Sequence, residues 1–144
     1  RKRGLSLDEM NNRMNKQSGI LGIFGESSDF RDLDAARRRG NEKAQLAYEM
    51  FCYRIQLYIG AYVAAMNGID AIAFTGGIGE NSVGVKQHIC ESLSYFGIEL
   101  DEEKNAQRLP GNVELSTKDS KVKIYKIETA EELVIARDTY RLTK

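Results

Sequence analysis

Residues 70–82 read Asp70-Ala71-Ile72-Ala73-Phe74-Thr75-Gly76-Gly77-Ile78-Gly79-Glu80-Asn81-Ser82: a short apolar strand, a glycine turn, and the opening of a helix. Glycines let a backbone approach an anion closely, and free N–H groups at the start of a following helix point toward it. The segment therefore has the outline of a phosphate or nucleotide cradle. Glycine clusters also occur in plain strand–helix connections, so the turn alone is a modest signal. Two better-known glycine loops fail against it. The dinucleotide pattern G-x-G-x-x-G starts at Gly77 and Gly79 but meets Ser82 at its third glycine. The P-loop pattern finds Gly79 and Gly84, then Val85 where its lysine belongs, with Lys86 one residue late.

The composition narrows the class. The chain has 144 residues, enough for one domain with a real core, and carries 21 acidic and 21 basic side chains for a formal net charge of zero. No global field draws it to nucleic acid or anionic lipid. The clusters Arg1–Arg3 and Arg37–Arg39 are short and without interleaved aromatics, so they read as solvated faces. Cys52 and Cys90 are far apart, which argues against both a zinc site and a disulfide framework and fits a cytoplasmic protein. The most apolar stretch, 57–66, is too short to span a bilayer. The opening Arg1-Lys2-Arg3-Gly4 lacks an initiator methionine and suggests a piece of something longer.

Periodicity sets the elements. Residues 6–16 predict a short helix with Leu7, Met10 and Met14 on one side, and 18–25 a loop or short extended piece. A helix opens at Ser28 or Asp29, with its acids first and Arg37–Arg39 last, as the helix dipole favours. The longest helix covers 41–67, capped by Asn41 and followed by Gly68. Its second half is apolar nearly all round, which predicts burial against other elements or a partner. After the strand at 70–75 and the glycine turn, a helix is expected over 82–95 with Val85, Ile89, Leu93 and Phe96 facing the core. Residues 98–100 make a candidate short strand and 101–111 a polar loop with room for one helical turn. Alternation predicts strands at 112–116 and 121–127, and a final helix covers 130–142. Strands alternating with helices give an α/β class, a small central sheet flanked by helices.

Several side chains are candidates for chemistry. Thr129-Ala130-Glu131-Glu132 has the form of a capping box, Thr129 capping and Glu132 reaching back to the Thr129 N–H. Glu132 then has a structural job and Glu131 does not. Glu131 is either a dipole-complementing surface acid or a carboxylate able to hold a metal, directly or through water. Asp29-Phe30-Arg31 reads in two ways: as a nucleoside clamp, Arg31 stacking on a base and Asp29 accepting from a ribose hydroxyl, or as a helix cap beside a surface ion pair. Asn81 is expected to cap the helix after the glycine turn, Glu80 to face solvent, and His88 to be structural or superficial. No Ser-His-Asp or Cys-His arrangement emerges, and no catalytic residue is assigned.

Four motifs in order carry a family resemblance: Ser18-Gly19-Ile20-Leu21-Gly22-Ile23, Ser27-Ser28-Asp29-Phe30-Arg31-Asp32, Phe74-Thr75-Gly76-Gly77-Ile78-Gly79-Glu80-Asn81-Ser82, and Glu131-Glu132-Leu133-Val134-Ile135-Ala136-Arg137-Asp138-Thr139. The sequence resembles the C-terminal part of the acetokinase (acetate kinase) family, within the actin/hexokinase/Hsp70-like phosphotransferase fold. The resemblance implies that residues 1–144 are a single incomplete domain, the C-terminal nucleotide-binding lobe of an actin-like ATPase (ribonuclease H-like) fold. It implies reversible transfer of the ATP γ-phosphoryl group to acetate, giving acetyl phosphate and ADP with Mg2+, in a cytoplasmic homodimer. Carried over, Asp29, Phe30 and Arg31 line the adenosine site, Gly77, Ile78, Gly79, Glu80 and Asn81 form a second nucleotide-binding segment, and Glu131 is the magnesium carboxylate. Ala130 departs from the asparagine common in the family at that position, removing a polar group beside the metal. Acetate binding and the groups that stabilise the transition state belong to segments outside these residues, so the chain alone is expected to be inactive. The alternatives are a propionate or butyrate kinase lobe, or a non-catalytic dimerisation module in which the apolar helix 41–67 pairs two subunits.

Overall fold

The computed structural model describes residues 4–144, so the Arg1–Arg3 cluster lies outside it. The chain divides into two compact units, with the boundary between Tyr58 and Ile59.

The first unit is helical. Helix α1 (Leu7–Lys16) opens with a capping box in which Ser6 and Glu9 satisfy each other's backbone N–H groups. Its stripe of Leu7, Met10 and Met14 stays exposed. Residues 18–25, expected to be loop or extended, instead contain helix α2 (Ile20–Phe24), ended by Gly25 in the left-handed region at φ 86°. Five residues are too few for periodicity to register, and Phe24 anchors the turn in the core. Helix α3 (Phe30–Arg38) begins at Asp29, whose side chain accepts the Arg31 N–H. Helix α4 (Glu42–Met66) follows at once, Asn41 capping it through the Ala44 N–H. Leu33, Ala36, Ala44, Ala47, Tyr48 and Cys52 form the buried contacts of this unit. Of the charge run 37–39, Arg37 and Arg38 both pair with Asp34, and Arg37 also lies 4.3 Å over the Tyr48 ring. In the apolar half of α4, expected to be buried against other elements or a partner, Leu57, Tyr58, Tyr62 and Met66 are not covered by other elements of the chain and stay exposed.

The second unit is built on a three-stranded sheet in the order β1-β3-β2. Strand β1 (Ala71–Phe74) runs parallel to β3 (Lys123–Lys126), with Ala71 opposite Lys123 and Phe74 opposite Lys126. Strand β2 (Val113–Glu114) pairs antiparallel with β3. The expected strand at 98–100 is reduced to two isolated bridges, Ile98 with Val122 and Leu100 with Ser116. Burial alternates along β1 and β3, so Ile72, Phe74, Val122 and Ile124 point inward while Ala71, Ala73 and Lys123 point outward.

Between β1 and β2 lie helices α5 (Gly76–Asn81), α6 (Val83–Glu91) and α7 (Glu102–Gln107), with a short 3-10 turn at Ser94–Phe96. Val85, Ile89, Cys90 and Leu93 complete the core. Helix α8 (Glu131–Leu142) closes the chain with Leu133, Val134, Ile135, Tyr140 and Leu142 all exposed. The α/β class with a small mixed sheet and surrounding helices is thus the one expected. Both cysteines are free and buried, and burial pushes the Cys52 thiol up to about 11 and the Cys90 thiol to about 12, leaving them unreactive. Among the described residues no helix is long and apolar enough to cross a membrane.

Ile124 is fully buried at the centre of the sheet, whereas Leu133 is about half exposed. Urea unfolding should find Ile124→Ala destabilised by about 2–5 kcal/mol and Leu133→Ala within about 0.5 kcal/mol of the parent.

Candidate functional site

The parallel register of β1 and β3 brings the C-terminal ends of both strands to one edge. Phe74 stands opposite Lys126, and the Ile127 N–H donates to the Phe74 carbonyl at 2.9 Å. The segments that leave the strands, 75–82 and 127–131, therefore start side by side. In open α/β sheets this edge is where ligands bind.

The glycine segment is helical where a turn was expected. Gly76 supplies the one positive φ, 71°, and residues 76–81 then wind into α5. Gly79 sits in a tight place: a Cβ there would lie 3.1 Å from the Phe74 carbonyl carbon. Gly76 and Gly77 differ, because a Cβ on either would meet nothing within 4 Å. Their backbone borders open space. Asn81, expected to cap the following helix, is instead the last residue of α5 and donates from Nδ2 to the Gly77 carbonyl at 3.0 Å. Ser82 breaks the helix with ψ near 100° and caps α6 through the Val85 N–H.

Glu80 does not simply face solvent. Its Oε1 accepts both the Thr129 N–H at 2.9 Å and the Thr129 hydroxyl at 2.8 Å. This bond corrects the expected capping box at 129–132. The Thr129 N–H meant for Glu132 is taken by Glu80, and α8 starts from Ala130 with no side-chain cap. The Thr129 backbone donor, then its hydroxyl, hold the Glu80 carboxyl below its ordinary 4.5. Glu128 anchors the other side of the same connection. Its carboxylate accepts from the Gly111 N–H and from the buried Lys126 ammonium, while its own N–H donates to Asn112. The chain just before Glu131 is thus fixed from two directions. Glu131 itself is exposed in the first turn of α8. Among the described residues no three His, Cys, Asp or Glu side chains cluster as a metal cage.

Sequence reasoning passed over Lys86 as a misplaced P-loop lysine. It is buried, and its Nζ donates to the carbonyls of Gly79, Glu80 and Ser82 at 3.0–3.1 Å. Its position one and two turns before the buried Cys90 and Leu93 was the available clue.

In the first unit Asp29, Phe30 and Arg31 have internal partners. The Asp29 carboxylate accepts from Arg31 Nε and Nη2 as well as capping the helix, and this guanidinium pushes its pKa down to about 2. The Arg31 side chain is 90% exposed, so the pair contributes little stability but points the guanidinium plane at solvent. The Phe30 ring packs against Phe51 at 5.0 Å and Tyr48 at 5.9 Å between centroids. Of the sequence-predicted residues, the structure joins Asp29, Phe30 and Arg31 in one cluster. Through Glu80 and Thr129 it joins Gly77–Asn81 to the turn that carries Glu131.

A family model described as "Acetokinase family" matches residues 1–137. The acetate kinase of Fusobacterium nucleatum is 58% identical over 99% of this chain, which spans 36% of that protein. The crystal structure of Porphyromonas gingivalis acetate kinase superposes with a TM-score of 0.87 at 40% identity, over 99% of this chain and 36% of that one. A propionate kinase from Francisella tularensis gives 0.82 at 37% identity, over 93% and 34%. The chain is therefore about a third of the length of these relatives.

Because its native pKa is depressed, Glu80 contributes stability that is complete above about pH 4.5 and is lost as pH falls through the native value. NMR titration of its carboxyl carbon should give a midpoint below 4.5, and Thr129→Ala should move it part of the way back, since the backbone donor remains.

Proposed function

This chain belongs to the acetokinase family, and on that premise we propose that it is the nucleotide-binding C-terminal lobe of a carboxylate kinase whose acceptor is acetate. The observation that carries the reading is the glycine segment itself. It sits at the carboxyl edge of two parallel strands, its Gly76–Gly77 backbone borders open space, and its far end is tied to the turn before Glu131. That combination fits an anionic chain of phosphates approaching main-chain amides more closely than side chains would allow.

In this reading residues Gly77–Asn81 receive the phosphates of ATP or ADP; for Asp29, Phe30 and Arg31, considered on their own, the family resemblance supports a nucleoside-contacting role. Arg31, preoriented by Asp29 and exposed, is the member free to stack on a base, while the neighbouring Phe30 packs on Phe51 and Tyr48. Glu131 fits Mg2+, which keeps much of its water shell and is held by one or two carboxylates together with phosphate oxygens. Bound there, the ion would neutralise charge on the transferring phosphoryl group. The reaction is attack of an acetate oxygen on the γ-phosphorus with ADP leaving. Its rate depends on positioning and charge stabilisation, so one lobe without the rest of the cleft supplies neither in full. This polypeptide alone should form no measurable acetyl phosphate.

The propionate kinase likeness keeps a longer acyl acceptor as a second reading. The exposed Leu57, Tyr58, Tyr62 and Met66 on α4 favour pairing of two copies, compatible with nucleotide binding on the same chain.

Because the space beside Gly77 is open and its φ is ordinary, Gly77→Leu should leave urea stability within about 0.5 kcal/mol of the parent. In calorimetric titration the same substitution should weaken ADP binding about tenfold or more, a loss of about 1.4 kcal/mol or greater. Equal ADP affinity in both proteins would refute the assignment of this segment.

A further inference from the structure

Helix α5 is six residues long and three of them are glycine, a combination that does not sustain a helix by itself. Something outside must hold it. Its C-terminal carbonyls lack partners within the helix, as at every helix end. Lys86 meets them: a single buried ammonium with three protons faces the three oxygens of Gly79, Glu80 and Ser82.

We infer that Lys86 is a positioning residue for the proposed nucleotide segment, gathering the carbonyls of Gly79, Glu80 and Ser82 beneath α5 so that the Gly76–Gly77 backbone keeps its shape toward the open side. Its importance for a ligand rests on the nucleotide reading above; its effect on the segment does not. Without the ammonium, the Gly79 and Glu80 carbonyls lose this donor, while Ser82 keeps the Lys86 backbone N–H; α5 frays, and the Glu80–Thr129 bond loses its fixed end. The charge is what the site uses. A neutral side chain of the same length fills the space but donates nothing.

The surroundings of Lys86 make this testable by pH. Burial first, then Lys126 facing it from β3 and Arg108 from the end of α7, push its pKa down from 10.5 to about 8; Cys90 on α6 opposes this. Raising the pH through about 8 removes one of three donors and loosens the segment. Over the same range, up to about 10.5, the unfolded chain holds more protons than the folded one, so global stability gains from this group as pH rises. Local order and the Lys86 contribution to global stability move in opposite directions, which a packing role does not produce; the raised Cys52 and Cys90 thiols lower stability over the same range, so the urea data are read as parent against Lys86→Met.

The test is hydrogen-exchange protection of residues 77–82 in this chain at about pH 7 and pH 9, corrected for intrinsic rates, alongside urea unfolding, for the parent, Lys86→Met and Lys86→Arg. The parent should lose about fivefold or more of its protection at 77–82 between the two pH values while 85–93 is unchanged. Lys86→Met should be low at both pH values and Lys86→Arg high at both. Protection at 77–82 in Lys86→Met equal to the parent's, or a pH response that merely follows global stability, overturns the inference. Should Lys86→Met fail to fold, the parent's pH response alone decides it. ADP titration separates the two readings. A parent that binds no ADP counts against the nucleotide assignment, while the exchange data still judge Lys86. Lys86→Met binding ADP as tightly as the parent overturns the role of Lys86 with the nucleotide site intact.

Discussion

Parallel pairing of β1 with β3 is the constraint on which the second unit depends. Four residue pairs, from Ala71 with Lys123 to Phe74 with Lys126, fix where two distant segments emerge. A parallel pair needs a long crossover, and here residues 75–122 supply it with three helices and most of the core. Once the register is set, Glu80 and Thr129 meet although 49 residues separate them. The candidate site is a consequence of that register. A slip of one residue would turn either Ile72 and Phe74 or Val122 and Ile124 outward, depending on which strand moved, so the hydrophobic core and the site are specified together.

Around that edge the polar interactions form a coherent set. Lys86 holds the carbonyls at the end of α5, Glu80 ties the same segment to Thr129, and Lys126 with Glu128 ties the following turn to the loop at 109–112. Two buried lysines in a small unit are costly unless each is well satisfied, and both donate to backbone oxygens. Satisfied polar bonds of this kind fix the segments they join, which is what the proposed nucleotide site would need for positioning. The first unit follows a simpler logic, with its candidate cluster set at the start of α3 by a cap and an aromatic anchor.

What the sequence made legible was governed by local rules. Caps at Asp29 and Asn41, the dipole-ordered charges of α3, and the alternation in 121–127 all lie within a few residues, and each element formed as expected. Most of the misreadings turn on side-chain bonds that no pattern of neighbouring residues encodes. The glycine run reads as a turn, and the Lys86 ammonium that donates to its terminal carbonyls comes from the next helix. The capping box at Thr129 is locally well formed but loses to Glu80. The glycine segment and the Asp29-Phe30-Arg31 motif were visible as candidates, while the bonds that fix their geometry were not.

The central claim is that the edge formed by residues 76–82 and 128–132 receives the phosphates of a nucleotide. Amide chemical-shift mapping of the isotope-labelled chain during titration with ADP and Mg2+ tests it most directly. The account predicts saturable shifts concentrated at 76–82, with a second set at 128–132 that appears only when Mg2+ is present. Saturable binding that leaves both segments unshifted, or no binding at all, would contradict it.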